Sequence, residues 1–209
     1  MRGPSTRAAL ALAIAVVCGC VPNKNVKVDF SETRRAYLAT DYDAVYSRWT
    51  RHDYVLHDAD KALEVWATLK SWDFREAYVE RYGSVYGLTD ADRETLRKGQ
   101  LDSLHRYYEF HVTTQSSEFK WNDFEKANTA WRITLVDALG HELSPEPVKV
   151  QKLPDAYERE FFPSQTPFTK TYSIRFPVSA GGEFAGAQSG ALTLRFMSPV
   201  ARIELVWKS

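Results

Sequence analysis

His52, Asp53, His57, Asp58 and Asp60 fall within nine residues, and imidazole with carboxylate is a donor set for zinc and other divalent ions. The spacing opposes a shared ion. Histidines five apart are turned by about 140° on a helix and do not share a face. We therefore read the segment as a polar connection between a helix and the strand that follows. His105, His111 and His141 have no mutual spacing that specifies a site. Gly186-Ala-Gln-Ser-Gly190 places its serine one residue late for a Gly-x-Ser-x-Gly elbow, and neither a Walker loop nor a dinucleotide fingerprint occurs. The acid pairs Asp41/Asp43 and Asp90/Asp92 sit at expected helix starts, where the helix dipole accounts for them. No catalytic residue, metal ligand or cofactor is assigned from these patterns.

Thiol chemistry is confined to the first twenty residues. Cys18 and Cys20 are the only cysteines in 209 residues, so the rest of the chain can form no disulfide or thiolate site. Arg2 and Arg7 precede the apolar run Ala8–Val17, which has the order of a secretory signal. Ten to twelve apolar residues reach roughly 15 to 18 Å along a helix, short of a hydrocarbon core of about 30 Å. Val17-Cys18-Gly19-Cys20 resembles the bacterial lipobox. That resemblance implies cleavage between Gly19 and Cys20, acylation of Cys20, and membrane lipid as the partner of the acylated residue. Val21 after the cysteine, in place of Asp, implies the outer membrane by the same rule.

Charge narrows the partners. The 27 basic and 27 acidic side chains cancel, and removal of Arg2 and Arg7 leaves 25 against 27. A slightly acidic chain without a basic run is not built for nucleic acid. Residues 1–19 are then a leader and 20–30 a lipidated tether, while 31–209 form a single α+β domain. About ten flexible residues span roughly 17 Å, which keeps the folded part near its membrane.

Periodicity supplies the elements. Thr40 caps a short helix over 40–50, with Tyr42, Val45, Tyr46 and Trp49 at helical spacing. Residues 61–70 fit a helix or a strand, and we prefer strand because Leu63, Val65, Ala67 and Leu69 share one side. Two helices follow within 72–105, the first carrying Phe74, Tyr78 and Tyr82 and the second capped by Thr89. From residue 107 the period becomes two, in runs around Phe110, Ile133, Ile174, Leu194 and Leu205. We expect an antiparallel immunoglobulin-like β-sandwich, mainly 61–70 and 107–209, without the immunoglobulin disulfide. If 61–70 is strand, the two helices are an insertion; if helix, they belong to an N-terminal layer.

The 28 aromatic residues mostly obey these periods, as packing requires. Trp121, Phe124, Phe161 and Phe162 fall in loops, where rings can contact a ligand or close the ends of the sandwich. Trp49-Thr-Arg51, Ala67-Thr-Leu-Lys-Ser71, Trp121-Asn-Asp-Phe124, Trp131-Arg-Ile133 and Phe161-Phe-Pro163 resemble segments of a family of Gram-negative envelope lipoproteins with a helical middle and a β-rich end. The resemblance implies an address and no activity. The leading expectation is a non-enzymatic, membrane-anchored structural or interaction module with an envelope protein as partner. The alternatives are a glycan- or lipid-binding protein using the loop aromatics, and an envelope hydrolase using the His52–Asp60 cluster.

Overall fold

The computed structural model describes residues 26–57, 60–118, 121–151, 158–178, 182–199 and 201–209. Gly19, Cys20 and the remaining leader and tether up to residue 25 lie outside the described residues, as do Asp58 and the side chains of His57 and Asp60. Among the described residues, no helix is long and apolar enough to cross a membrane.

The fold is α+β, and the described residues form two antiparallel sheets and four α-helices. Helix α1, Tyr42–Trp49, buries Tyr42, Val45 and Trp49 of the expected stripe and leaves Tyr46 half-buried; Thr40 does not cap it but lies within the 3-10 turn Ala39–Asp41 that precedes it. Strand β1, Thr50–His57, follows it without a loop, which corrects our reading of this segment as a polar connection. Arg51 hid the strand. It occupies an inward position where a strand ordinarily places an apolar side chain, and donates to the carbonyls of Val206, Arg48, Thr50 and Val26 at 2.7 to 3.0 Å. Strand β2, Asp60–Leu69, confirms the period-two reading and pairs with β1.

Helices α2, Trp72–Val85, and α3, Asp90–Arg106, interrupt the sheet between β2 and β3. Ser71 caps α2 by accepting from the Phe74 amide at 3.1 Å, and Thr89 caps α3 by accepting from that of Asp92 at 3.2 Å. These side chains satisfy N–H groups that a helix start leaves without intrahelical partners. Arg97 joins the helices by pairing with Glu76 at 3.0 Å and Glu80 at 2.7 Å.

The remaining strands are β3, Tyr107–Gln115; β4, Arg132–Asp137; β5, Glu142–Leu143; β6, Lys149–Val150; β7, Lys170–Pro177; β8, Ala191–Met197; and β9, Arg202–Lys208. A one-turn helix, α4, covers Glu158–Phe161. One sheet runs β1-β2-β3-β7-β6 and the other β5-β4-β8-β9. Phe110, Phe176, Leu194, Phe196 and Trp207 belong to one buried apolar cluster fed by both sheets. Phe110 of the first sheet packs on Trp207 of the second at 5.2 Å between ring centroids. The Trp207 indole donates to the Trp49 carbonyl at 2.8 Å, so α1 is tied to the far sheet.

The opposite face of the first sheet is polar, and it is also buried. Thr68, Glu109, His111, Thr113 and Thr171 alternate with the core residues but are nearly inaccessible. Phe162 lies over His111, and Arg75 of α2 reaches Glu109 at 3.0 Å. Lys70 meets the same carboxylate at 3.0 Å and Ser103 of α3 at 3.2 Å.

Asp73 fixes the start of α2 to the N-terminal segment. It accepts from Arg35, from the Tyr37 hydroxyl, from Arg48 at 3.0 Å and from the Trp49 indole at 2.9 Å. Asp73→Ala leaves the buried indole N–H without an acceptor. We expect a loss of about 2 kcal/mol, discounted because both arginines are partly exposed. Urea unfolding followed by tryptophan fluorescence reads it; Asp73→Asn, which keeps one acceptor, should recover part of the loss. A change below about 0.5 kcal/mol for Asp73→Ala would show that Asp73 does not hold these segments.

Candidate functional site

The loop aromatics are packed. Trp121 meets Trp131 edge-on at 6.3 Å and accepts the Trp131 indole N–H at its carbonyl, 3.1 Å away. Phe124 stacks on Tyr172 at 4.9 Å. Phe161 lies among Tyr42, Tyr78 and Tyr82, and Phe162 stacks on His111 at 3.6 Å. All four are buried, so their rings meet protein rather than solvent. They close the protein interior, the packing role weighed against ligand contact above.

The four histidines with described side chains occupy separate environments. His52 bonds Glu64 at 2.9 Å and stacks on Trp66, His141 faces Asp137 at 3.3 Å, and His105 faces Glu32 at 3.4 Å. His111 lies against Gln165 at 3.1 Å. Burial, reinforced by Lys70, pushes the His111 imidazole well below its ordinary pKa against the opposing pull of Glu109. It is a neutral core group. Among the described residues, no three His, Cys, Asp or Glu side chains converge as a metal site.

A concave site lies elsewhere. A cleft of about 530 Å³ opens where the N-terminal segment, the start of α2, the end of α3 and the 187–192 segment meet. Phe30, Leu69, Leu104 and Leu192 give it apolar walls. Its polar groups are few. Glu32 and His105 form the pair noted above, with both side chains more than half exposed. Trp72 turns its ring toward His105, 6.5 Å between centroids, and its buried Nε1–H meets no acceptor among the described residues. An apolar cavity of this size with a few polar groups is the usual form of a small-molecule site.

Local structure explains why the cleft stands open. Trp72 is the first residue of α2, directly after its Ser71 cap, so its position is set by the cap. Leu104 and His105 lie in the last turn of α3, which passes straight into β3. The opposite wall depends on Gly186, whose φ is +57°. A Cβ there would stand 1.9 Å from the Tyr108 hydroxyl. Burial raises the pKa of that phenol, which stays protonated at neutral pH. Sequence reasoning missed this site because its residues come from separate segments and share no period. Trp72 reads only as a helix start.

The sequence matches no protein-family model and no curated protein. Among solved structures, the chain is similar to a novel protein of unknown function from Burkholderia pseudomallei K96243, with a TM-score of 0.39 and 11% identity. The alignment covers 78% of this chain and 82% of that one.

Gly186→Ala and Gly190→Ala separate backbone strain from the close approach at this wall. Both glycines have positive φ, but a Cβ at position 190 meets nothing nearer than the Ser209 hydroxyl, 3.3 Å away. We expect Gly190→Ala to cost about 1 kcal/mol and Gly186→Ala at least about 1 kcal/mol more, measured by urea unfolding. Equal losses would mean that Tyr108 does not press on Gly186.

Proposed function

We propose that this protein is a non-enzymatic, lipid-anchored component of the bacterial envelope, held in the outer membrane through acylated Cys20. Its two sheets form an immunoglobulin-like sandwich that acts as a protein-interaction module. The strand orders support the sandwich reading. The run β2-β3-β7-β6 parallels the A-B-E-D sheet of that fold, and β5-β4-β8-β9 parallels C′-C-F-G. On this reading β1 is an added edge strand and α2 with α3 is an insertion between the first two strands of the sandwich. Residues 31–209 then make one domain.

The observation that carries the interaction role is the edge at β1. Among the described residues, this strand has a hydrogen-bonded neighbour strand, β2, on one side only. Arg51, bonded to the Val206 carbonyl, closes its first half against β9. Its second half carries Tyr54 and Leu56, 46% and 57% exposed. An edge strand with exposed apolar side chains invites pairing unless a partner covers it, and strand addition is a common mode of recognition.

Two measurements test the proposal. Mass spectrometry of the protein isolated from a Gram-negative host should find the N-terminal residue to be Cys20 carrying acyl chains, with none in Cys20→Ser. A photo-crosslinking amino acid at position 54 should capture a recurrent envelope protein in intact cells, and Leu56→Lys should reduce that capture about tenfold. The same crosslinker at Lys98, on α3, serves as the control. Unmodified Cys20, or no partner specific to position 54, contradicts the corresponding half of the proposal.

A further inference from the structure

We propose that the polar groove along β6 and β7 binds a phosphate dianion, as the free ion or as the end of a small phosphomonoester, between Arg175 and Lys149. The groove holds about 290 Å³, and Glu146, Lys149, Gln151, Ser173 and Arg175 line it. It shares no lining residue with the cleft beside Trp72, and binding there needs neither the lipid anchor nor the β1 edge.

Register brings these groups together. Tyr172, Ile174 and Phe176 are buried in the core, so Ser173 and Arg175 belong to the opposite face of β7. Lys149 of β6 pairs directly with Ser173, and residues opposite one another in a strand pair share a face. Over β3 this polar face is covered by α2, through Arg75. At Ser173 and Arg175 it is half-buried, and at Lys149 it is exposed.

Charge selects the ligand. Lys70 and Arg75 each stand 3.0 Å from the Glu109 carboxylate, and Arg175 stands 3.6 Å from it. Among the described residues none of the three pairs with another carboxylate, so three positive charges share one negative charge. Glu146 and Lys149 bring one charge of each sign to the groove and leave a surplus of two. Burial holds the Lys70 ammonium below its ordinary pKa against the pull of Glu109, and repulsion from Arg75 and Arg175 adds to that effect. A phosphomonoester carries about two negative charges at neutral pH, whereas a carboxylate or a phosphodiester carries one. The dianion is the one that balances the cluster.

The donors suit a phosphate. Arg175 Nη2 lies beyond hydrogen-bond range of Glu109, and its side chain, 41% exposed, lines the groove. Tyr107 supports the guanidinium, whose carbon lies 5.6 Å from the ring centroid. A guanidinium offers paired N–H groups to two phosphate oxygens, and Lys149 adds a point charge from the neighbouring strand. Volume limits what the phosphate carries. At about 30 Å³ for each non-hydrogen group the groove holds roughly ten, which is a phosphate with a substituent the size of glycerol.

Equilibrium dialysis of the full chain against radiolabelled inorganic phosphate, at about pH 8 and constant ionic strength, tests the site. The ion should bind with millimolar or tighter affinity. Acetate and dimethyl phosphate should compete at least tenfold less well. Lys149→Glu, at an exposed position, should weaken binding at least tenfold, whereas Lys98→Glu, the same change of charge on α3, should alter it less than about twofold. Arg175→Met should also weaken binding at least tenfold, and Arg175→Lys, which keeps the charge without the paired donors, should recover part of the loss. If Arg175→Met lowers the melting temperature, Lys149→Glu decides. No binding to the unsubstituted chain, or equal effects of Lys149→Glu and Lys98→Glu, overturns the site. Acetate or the diester competing as well as phosphate overturns the dianion. Glycerol 3-phosphate separates the sources: stronger competition than by inorganic phosphate supports the monoester, and weaker competition supports the free ion.

Discussion

The Glu109 carboxylate is buried on the polar face of a sheet, and the helical layer is organised around it. Lys70 at the end of β2, Arg75 on α2 and Ser103 on α3 all reach it, and Arg175 of β7 stands 3.6 Å away. Burial alone would raise its pKa, but Lys70 and Arg75 outweigh burial and hold the carboxyl below its ordinary range. Its stabilising contribution is complete above the pKa of an unfolded glutamate and is lost as pH falls through the folded value. A buried ion cluster of this kind contributes modest net stability compared with apolar packing, because desolvation offsets attraction. Its energetic weight lies in the penalty for wrong arrangements. Moving α2 or α3 away from β3 leaves a buried charge without its partner.

That constraint also shapes the surface. Arg75 anchors α2 one turn after Trp72, while it donates to the Lys70 carbonyl at 2.8 Å and to Gln100 of α3 at 2.7 Å. The start of α2 and the end of α3 are thereby held beside β3 at a fixed separation. The N-terminal segment is tied to the start of α2 through Asp73. Charge pairing at Glu109 acts together with the core packing of Phe74 and Ala77 on α2, and the cleft between Trp72, Leu104 and Leu192 lies beside this anchored helix start.

Much of the architecture was legible because period-two and period-3.6 patterns report one buried face. Phe110 with Val112, Tyr172 with Ile174, and Leu192 with Leu194 occupy the inward positions their alternation implies. The choice of strand for residues 61–70 followed from Leu63, Val65 and Ala67, all fully buried. What failed was of a different physical kind. Arg51 takes an inward position by bonding carbonyls, so β1 lacked alternation. Strands β5 and β6 have two residues each, too few to show a period. Glu109 and His111 alternate with Phe110 and Val112, and alternation cannot reveal a helix laid over the polar face. Trp121 and Phe162 read as loop residues correctly, yet a loop that folds inward buries its rings. The cleft had no signal in the sequence, since Phe30, Trp72, Leu104 and Leu192 meet only after every element is placed.

If charge pairing at Glu109 positions the helices on the sheet, Glu109 and Arg75 must be energetically coupled. A double-mutant cycle with Glu109→Gln and Arg75→Met, measured by urea unfolding at pH 7, tests it most directly. Each single substitution should cost about 3 kcal/mol or more, because it leaves a buried partner uncompensated. The double variant should cost less than the two together by about 2 kcal/mol. Additivity within about 0.5 kcal/mol would contradict the account, since the two side chains would then stabilise the fold independently.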